Sequence, residues 1–187
     1  GQVCEARYFS PSLRSKNAKF AIKLVPKAKY ASVDKMDHLA NEINISKRVN
    51  HKNVVSSRDV FHDTNCVCIV MELAAMDLNQ YRQEYGYKLE DRCVRSIVKG
   101  VLEGLGHLHS NNMAHMDLKG GNILIRRDVP PMELSPNDIL LCDLGLSVIG
   151  KGYETVSDNT MRGTFGMMAP EVLMGSPAGY DAKCADM

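Results

Sequence analysis

Ala114-His115-Met116-Asp117-Leu118-Lys119-Gly120-Gly121-Asn122 is the stretch around which this chain is organised. It sets an acid, a base and an amide close together. Asp117 can accept a proton, Lys119 can neutralise phosphate charge, and Asn122 can offer a side-chain oxygen to a metal ion. Gly120 and Gly121 let the backbone turn tightly between them. The apolar run Ile123-Leu124-Ile125 reads as a short strand.

Directly upstream, Glu90 to His109 carries helical periodicity. Val94, Ile97, Val98, Val101, Leu102, Leu105 and Leu108 form one wide apolar stripe that predicts a helix packed into a core. Gly100, Gly104 and Gly106 weaken such a helix by about 1 kcal/mol each relative to alanine, which points to close approach of neighbours. Downstream, Arg126 to Asp138 is polar and carries Pro130, Pro131 and Pro136. It is long for a link between two short strands and is expected to be a surface insertion, with a docking loop as the alternative. Ile139-Leu140-Leu141-Cys142 reads as a buried strand that ends at Asp143-Leu144-Gly145, a sequence also found in ordinary turns.

Further towards the N-terminus, Lys19 to Val25 predicts a strand with Ala21 and Lys23 on one face and Phe20, Ile22 and Leu24 on the other. A lysine among apolar neighbours is either an exposed edge-strand residue or a functional one. Ser32 to Val49 predicts a helix with Ser32 as N-cap and Val33, Met36, Leu39, Ala40, Ile43 and Val49 at helical spacing. Glu42 lies on this helix, where an ordinary solvated glutamate is the alternative to a functional one. Val60-Phe61 and Cys66 to Met71 predict two more strands, and Asp77 suits a helix N-cap.

The 187 residues are 44% apolar, enough for a real core, and widespread disorder is not expected. Lys plus Arg number 23 against 22 Asp plus Glu, so composition gives no reason to expect a nucleic-acid or polybasic membrane surface. No apolar run approaches the ~20 residues that span a bilayer, and no signal peptide opens the chain. The six cysteines form no Cys-x-x-Cys pair and are expected to be reduced, buried thiols in an intracellular protein. Gly1 and Met187 read as cut ends.

In this order and spacing the motifs resemble the catalytic domain of eukaryotic-type protein kinases. Gly1-Gln2-Val3 is similar to the end of the glycine-rich loop, and Ala21-Ile22-Lys23 to the Val-Ala-Ile-Lys strand. Asn50-His51-Lys52-Asn53-Val54-Val55 resembles the His-Pro-Asn-Ile-Val turn that follows the corresponding helix in the family. Met71-Glu72-Leu73 resembles the hinge, and His115-Met116-Asp117-Leu118 through Asn122 the catalytic loop. Asp143-Leu144-Gly145 stands for Asp-Phe-Gly, Ala169-Pro170-Glu171 is intact, and Tyr180 to Asp186 resembles the approach to the large central helix. Lys119 and Thr164 resemble the serine/threonine-specific branch.

The resemblance implies an α+β, two-lobed protein-kinase-like fold, cut at both ends. Residues 1–73 would form a small antiparallel-sheet lobe and hinge, and residues 74–187 the first part of a helical lobe. It implies ATP and Mg2+ as cofactors, protein substrates with Ser/Thr hydroxyls, no nucleic acid, no membrane insertion and a cytoplasmic location. Asp117 would be the catalytic base, assisted by Lys119. Lys23 would meet the phosphates and pair with Glu42. Val3, Ala21, Met71 as gatekeeper, Glu72, Leu73, Asp77 and Leu124 would surround the nucleotide, and Asn122 and Asp143 would hold the metal. Asp186 would brace the catalytic loop's backbone. A pseudokinase, binding nucleotide or acting as a scaffold on the same fold, is the alternative. The isolated fragment is expected to be weakly active or inactive.

Two departures from the family pattern carry information. Ser57 and Ser46 stand where apolar residues usually stack with Leu144 and His115, and polar groups cost stability there unless hydrogen-bonded. The helix bearing Glu42 is therefore expected to be held less firmly. Met116 stands where the family usually has an arginine that pairs with a phosphate on the activation segment. Without that cation, a phosphate on Thr155, Ser157 or Thr160 lacks its main partner. Phosphoryl transfer is therefore expected to run at the same rate before and after phosphatase treatment; a collapse in rate would refute this.

Overall fold

The computed structural model describes residues 2–7, 19–30, 33–150, 157–158, 160–175 and 179–187. Gly1, the expected N-cap Ser32 and the candidate phosphosite Thr155 lie outside the described residues. Strands β1 (Gln2–Arg7) and β2 (Lys19–Pro26) precede helix α1 (Val33–Arg48), which is followed by β3 (Ser57–His62) and β4 (Cys66–Glu72). The four strands form one antiparallel sheet in the order β1-β2-β4-β3. Val, Ile and Cys in β4 suit a pleated, half-buried surface. In the register, Val3 lies opposite Lys23 and Ala21 lies opposite Met71. Strand residues alternate faces and direct cross-strand partners share one, so these four side chains project from the same side of the sheet.

The chain then runs through β5 (Met76–Asp77), α2 (Leu78–Tyr85), α3 (Asp91–Ser110) and β6 (Met113–Ala114). Next come β7 (Ile123–Ile125), β8 (Ile139–Leu141), β9 (Val148–Ile149) and β10 (Ser157–Asp158). Last are α4 (Pro170–Met174), β11 (Tyr180–Asp181) and α5 (Ala182–Ala185). Strands β5, β7 and β8 form a small antiparallel sheet, and β6 pairs with β9. The expected α+β architecture is present: a sheet-rich N-terminal part followed by helices and short strands.

Asp77 caps α2. Its carboxylate accepts from the amides of Asn79 and Gln80, while the Gln80 side chain accepts from the Asp77 amide. Ile45, Val49 and Val54 join Leu105, Leu108, Met113, Leu141 and Leu144 in one core cluster. A second core gathers Tyr81, Cys93, Ile97, Ile125 and Ile139.

Several expectations need correction. On α1 the buried face is Glu42, Ile45 and Ser46, continued by Val49 just past its end, whereas Met36 is 58% exposed and Ala40 is exposed. The inward phase includes two polar residues, so an apolar-only template rotates the helix wrongly. On α3, Val94, Val98 and Leu102 are 43%, 48% and 46% exposed, while Ile97, Leu105 and Leu108 are buried. The stripe is wider than the face that the described residues cover. The segment from Arg126 to Asp138 lies at the surface, with Arg127, Asp128, Pro130, Met132, Glu133 and Asn137 exposed, but it is anchored in the core. Val129 and Leu134 are buried in the second core, and the Tyr81 hydroxyl donates to Val129 O. Asp138 is buried, accepts from Arg127 at 2.7 Å and from the Ser135 hydroxyl at 2.6 Å. All six thiols are free, but only Cys68 and Cys93 are buried, and Cys184 is exposed.

Two of the three α3 glycines are close-approach positions. A Cβ on Gly100 would lie 2.5 Å from Ile139 Cβ, and one on Gly104 would lie 2.9 Å from Asn53 O. One on Gly106 would meet nothing within 4 Å among the described residues. Gly100→Ala and Gly104→Ala are therefore expected to destabilise the fold by about 1–3 kcal/mol through overpacking. Gly106→Ala is expected to stabilise it by up to about 1 kcal/mol. Urea melts of the three variants, side by side, test this ranking.

Candidate functional site

Lys23 sits on β2, which is flanked by β1 and β4, so it is not an edge-strand lysine. Its ammonium donates to Glu42 Oε1 at 2.5 Å and to Asp143 Oδ1 at 2.9 Å. Burial alone would lower the Lys23 pKa, but the two carboxylates outweigh it and hold the group well above its ordinary value. Glu42 is 9% exposed, so it is not a solvated helix glutamate. The inward phase of α1 delivers it to the lysine.

The stretch from His115 to Asn122 is held from several sides. Asp186 accepts the amides of His115 and Met116, each at 2.7 Å, and its Oδ2 lies 2.9 Å from His109 Nε2. Its expected contact with this backbone is present. Met116 has φ 67°, a left-handed conformation rare for a residue with a side chain, and packs with Val172, Tyr180 and Ala182. His115 is fully buried. Burial pushes its pKa below the ordinary range despite Asp186, which keeps the ring neutral. Its Nε2–H donates to Cys142 O at 2.9 Å and its Nδ1 accepts the Asp117 amide at 3.2 Å.

Asp117 receives three side-chain donors. Lys119 Nζ donates to Oδ2 at 2.7 Å, Asn122 Nδ2 to Oδ2 at 2.8 Å, and Thr164 Oγ1 to Oδ1 at 2.7 Å. Lys119 also donates to Thr164 Oγ1 at 2.6 Å, closing a ring of acid, base and hydroxyl. Burial would raise the Asp117 pKa, but these donors overcome it and hold the carboxyl below its ordinary value.

A cleft of about 960 Å³ lies between the sheet and the helical part. Val3, Ala21, Lys23, Glu42, Met71, Glu72, Leu73, Asp77, Asp117, Asn122, Leu124 and Asp143 all line it. Lys119 does not; it lies beside Asp117 instead. Cys142, Cys4 and Gln80 also line the cleft and were not singled out from the sequence. Burial, with the Asp143 charge beside it, pushes the Cys142 thiol up to about 12. Thr164 was legible only as a mark of substrate branch; its contact with Asp117 depends on a fold-back across 47 residues.

Of the two unusual serines, Ser46 Oγ donates to Ile43 O within its own helix, whereas Ser57 Oγ is buried without a partner among the described residues. Leu144 and His115 are buried. Of the candidate phosphosites, Ser157 pairs with Asp181 in the β10–β11 ladder, and Thr160 O accepts the Tyr180 hydroxyl.

The donor set suits a hard cation. Asn122 uses its amide nitrogen on Asp117 O and Oδ2, which leaves its oxygen as an acceptor. Asp143 reaches the same cleft with a carboxylate that is 47% exposed. Among the described residues no group of three or more His, Cys, Asp and Glu could hold a metal ion. One carboxylate and one amide oxygen fit magnesium, which takes few protein ligands and completes its shell with phosphate and water.

The profile of the protein kinase domain family matches residues 6–187. The chain is 30% identical over 163 residues to serine/threonine-protein kinase PLK4 of Nematostella vectensis, across 87% of this chain and 16% of that protein. It is 35% identical over 176 residues to the probable serine/threonine-protein kinase fhkC of Dictyostelium discoideum, across 90% of this chain and 27% of that protein. It is 30% identical over 177 residues to serine/threonine-protein kinase RAD53 of Saccharomyces cerevisiae, across 91% of this chain and 20% of that protein. The chain thus spans between 16% and 27% of the length of these relatives.

The depressed Asp117 pKa has a consequence for stability. A carboxyl whose folded pKa lies below its unfolded value stabilises the fold above the unfolded value, ordinarily 3.8. That stability is lost as pH falls through the folded value. Lys119→Met removes one donor, so the Asp117 pKa is expected to rise, with stability lost at neutral pH and little change at the acid extreme. Carboxyl NMR titration and denaturation at several pH values check this.

Proposed function

Because the chain belongs to the protein kinase domain family, we propose that it transfers the γ-phosphoryl group of ATP to serine and threonine hydroxyls of proteins. The observation that carries this reading is the junction at Lys23. One ammonium joins Glu42 of α1 and Asp143 after β8, in the cleft that Asp117 also faces.

The residues divide the work by position. Backbone groups of Met71, Glu72 and Leu73 would bind the adenine, with Val3, Ala21 and Leu124 lining the same cleft. Asp77 meets the ribose. Lys23, oriented by Glu42, contacts the phosphates. Asp143 and Asn122 hold Mg2+, which offsets phosphate charge when bound. Asp117 orients the incoming hydroxyl and accepts its proton, and Lys119 places a positive charge beside the transferring group. Catalysis of this kind is mostly positioning and electrostatics. The bond between Thr164 and both Lys119 and Asp117 supports the serine/threonine branch.

Residues 1–73 serve as the small lobe and hinge, and residues 74–187 as part of the large lobe. Among the described residues no helix is long and apolar enough to cross a membrane. Dependence on ATP supports a location inside the cell. A second reading, a nucleotide-binding scaffold, draws on Ser57, whose buried hydroxyl has no partner among the described residues.

Transfer of phosphate from magnesium-ATP to a generic serine/threonine substrate, measured in the full-length protein beside Asp143→Asn, separates the two readings. Transfer that is abolished in the variant supports the enzyme. No transfer by either, with ATP still bound, supports the scaffold.

A further inference from the structure

Arg126 follows β7 and belongs to none of the motifs above, yet its guanidinium makes four hydrogen bonds. Nε donates to Glu72 Oε1 at 2.5 Å and Nη2 to Glu72 Oε2 at 3.4 Å. Nη1 donates to Asn137 O at 2.5 Å, and Nη2 also donates to Lys52 O at 2.7 Å. Three segments distant in sequence meet on one side chain: the end of β4, the turn between α1 and β3, and the residues preceding β8. The arginine itself is anchored, because its amide donates to Asp138 O at 2.7 Å. Lys52 extends the assembly through Asn137 Oδ1 and Glu103 Oε2 on α3, each at 2.8 Å.

Glu72 lies immediately before Leu73, and both line the cleft. The next anchor along the chain is Ala75, whose amide donates to Ile125 O at 2.9 Å. The short segment that crosses between the two parts of the molecule is thus pinned at its start by Arg126 and at its end by the residue before Arg126. The Arg126 and Glu72 side chains are 27% and 30% exposed, so solvent screens the pair only in part. A planar fork with five donors can serve two carboxylate oxygens and two carbonyls at once, which a lysine ammonium cannot do in this geometry.

We infer that Arg126 is a positioning residue that fixes the backbone of the Glu72–Ala75 segment and thereby sets nucleotide affinity. The affinity part rests on the proposed binding of adenine by this segment. Backbone groups held in place before binding lose less freedom on binding, so releasing the clasp weakens nucleotide binding while leaving the chemical step intact.

The experiment uses the full-length protein with Arg126→Met and Arg126→Lys, titrated with magnesium-ATP and followed by amide hydrogen exchange. Arg126→Met is expected to raise KM for ATP by about five- to tenfold with kcat within about twofold, the pattern of binding lost equally from ground and transition states. The amides of Leu73 and Ala74 should exchange faster, and Arg126→Lys should recover part of both effects. Unchanged KM and unchanged Leu73 and Ala74 exchange in folded Arg126→Met would overturn the inference. So would a variant that loses melting temperature with no preferential exchange at these amides. If the unsubstituted protein binds no ATP, the proposed function fails and nucleotide control by Arg126 fails with it. Exchange at Leu73 and Ala74 then decides whether the clasp holds the segment.

Discussion

A half-buried ammonium must be answered by carboxylate, and the meeting of Lys23 with Glu42 and Asp143 is the constraint on which the site depends. Each of the three residues comes from a different element. Lys23 fixes which face of the sheet looks into the cleft. Glu42 fixes the rotation of α1, even though that turns Met36 outwards. Asp143 fixes the turn that ends β8, where it adopts a left-handed backbone conformation at φ 62°. Loss of one partner would leave the others with uncompensated charge, so the three elements are energetically coupled across the cleft.

The loop that bears Asp117 is held by a different rule. Its backbone amides at His115 and Met116 have no ladder to join, and buried amides need acceptors. Asp186 supplies both, and so supports the positive φ at Met116. Non-glycine residues in that region cost of order 1–3 kcal/mol and persist only where the surroundings enforce them. Here the enforcement comes from one carboxylate and from packing against Val172 and Tyr180.

Much of this was legible in the chain. Strands rich in Val, Ile and Cys, the long helix before the loop, and the Asp77 cap follow from local pattern, and the order of motifs led to the fold. What local pattern missed has common physical causes. Glu42 and Ser46 face inwards because a partner or their own helix satisfies them, which hydrophobic periodicity cannot register. Val94, Val98 and Leu102 are apolar yet exposed, since periodicity marks a face without saying what covers it. The prolines from Pro130 to Pro136 signalled a loop correctly. They could not reveal that Val129, Leu134 and Asp138 anchor it in a core. The four bonds of Arg126 join segments whose proximity only the tertiary fold creates.

The glycines of α3 set a mechanical reference for the site. Because the helix backbone lies directly against Ile139 and Leu141, helix and strand form a single stiff plate with little slack between them. Strand β7 is laced to β8, and the Cys142 amide donates to Asn122 O at 3.0 Å. Asn122 and Asp143 are therefore mounted on the same plate. Lys23 and Glu42 belong to the sheet and helix above it. A tilt of that upper part alters the distances from Lys23 to Asp143 while the spacing of Asn122 and Asp143 stays constant. The molecule thus separates its adjustable coordinate from its fixed one, in the way an instrument keeps its scale on the frame and its pointer on the arm.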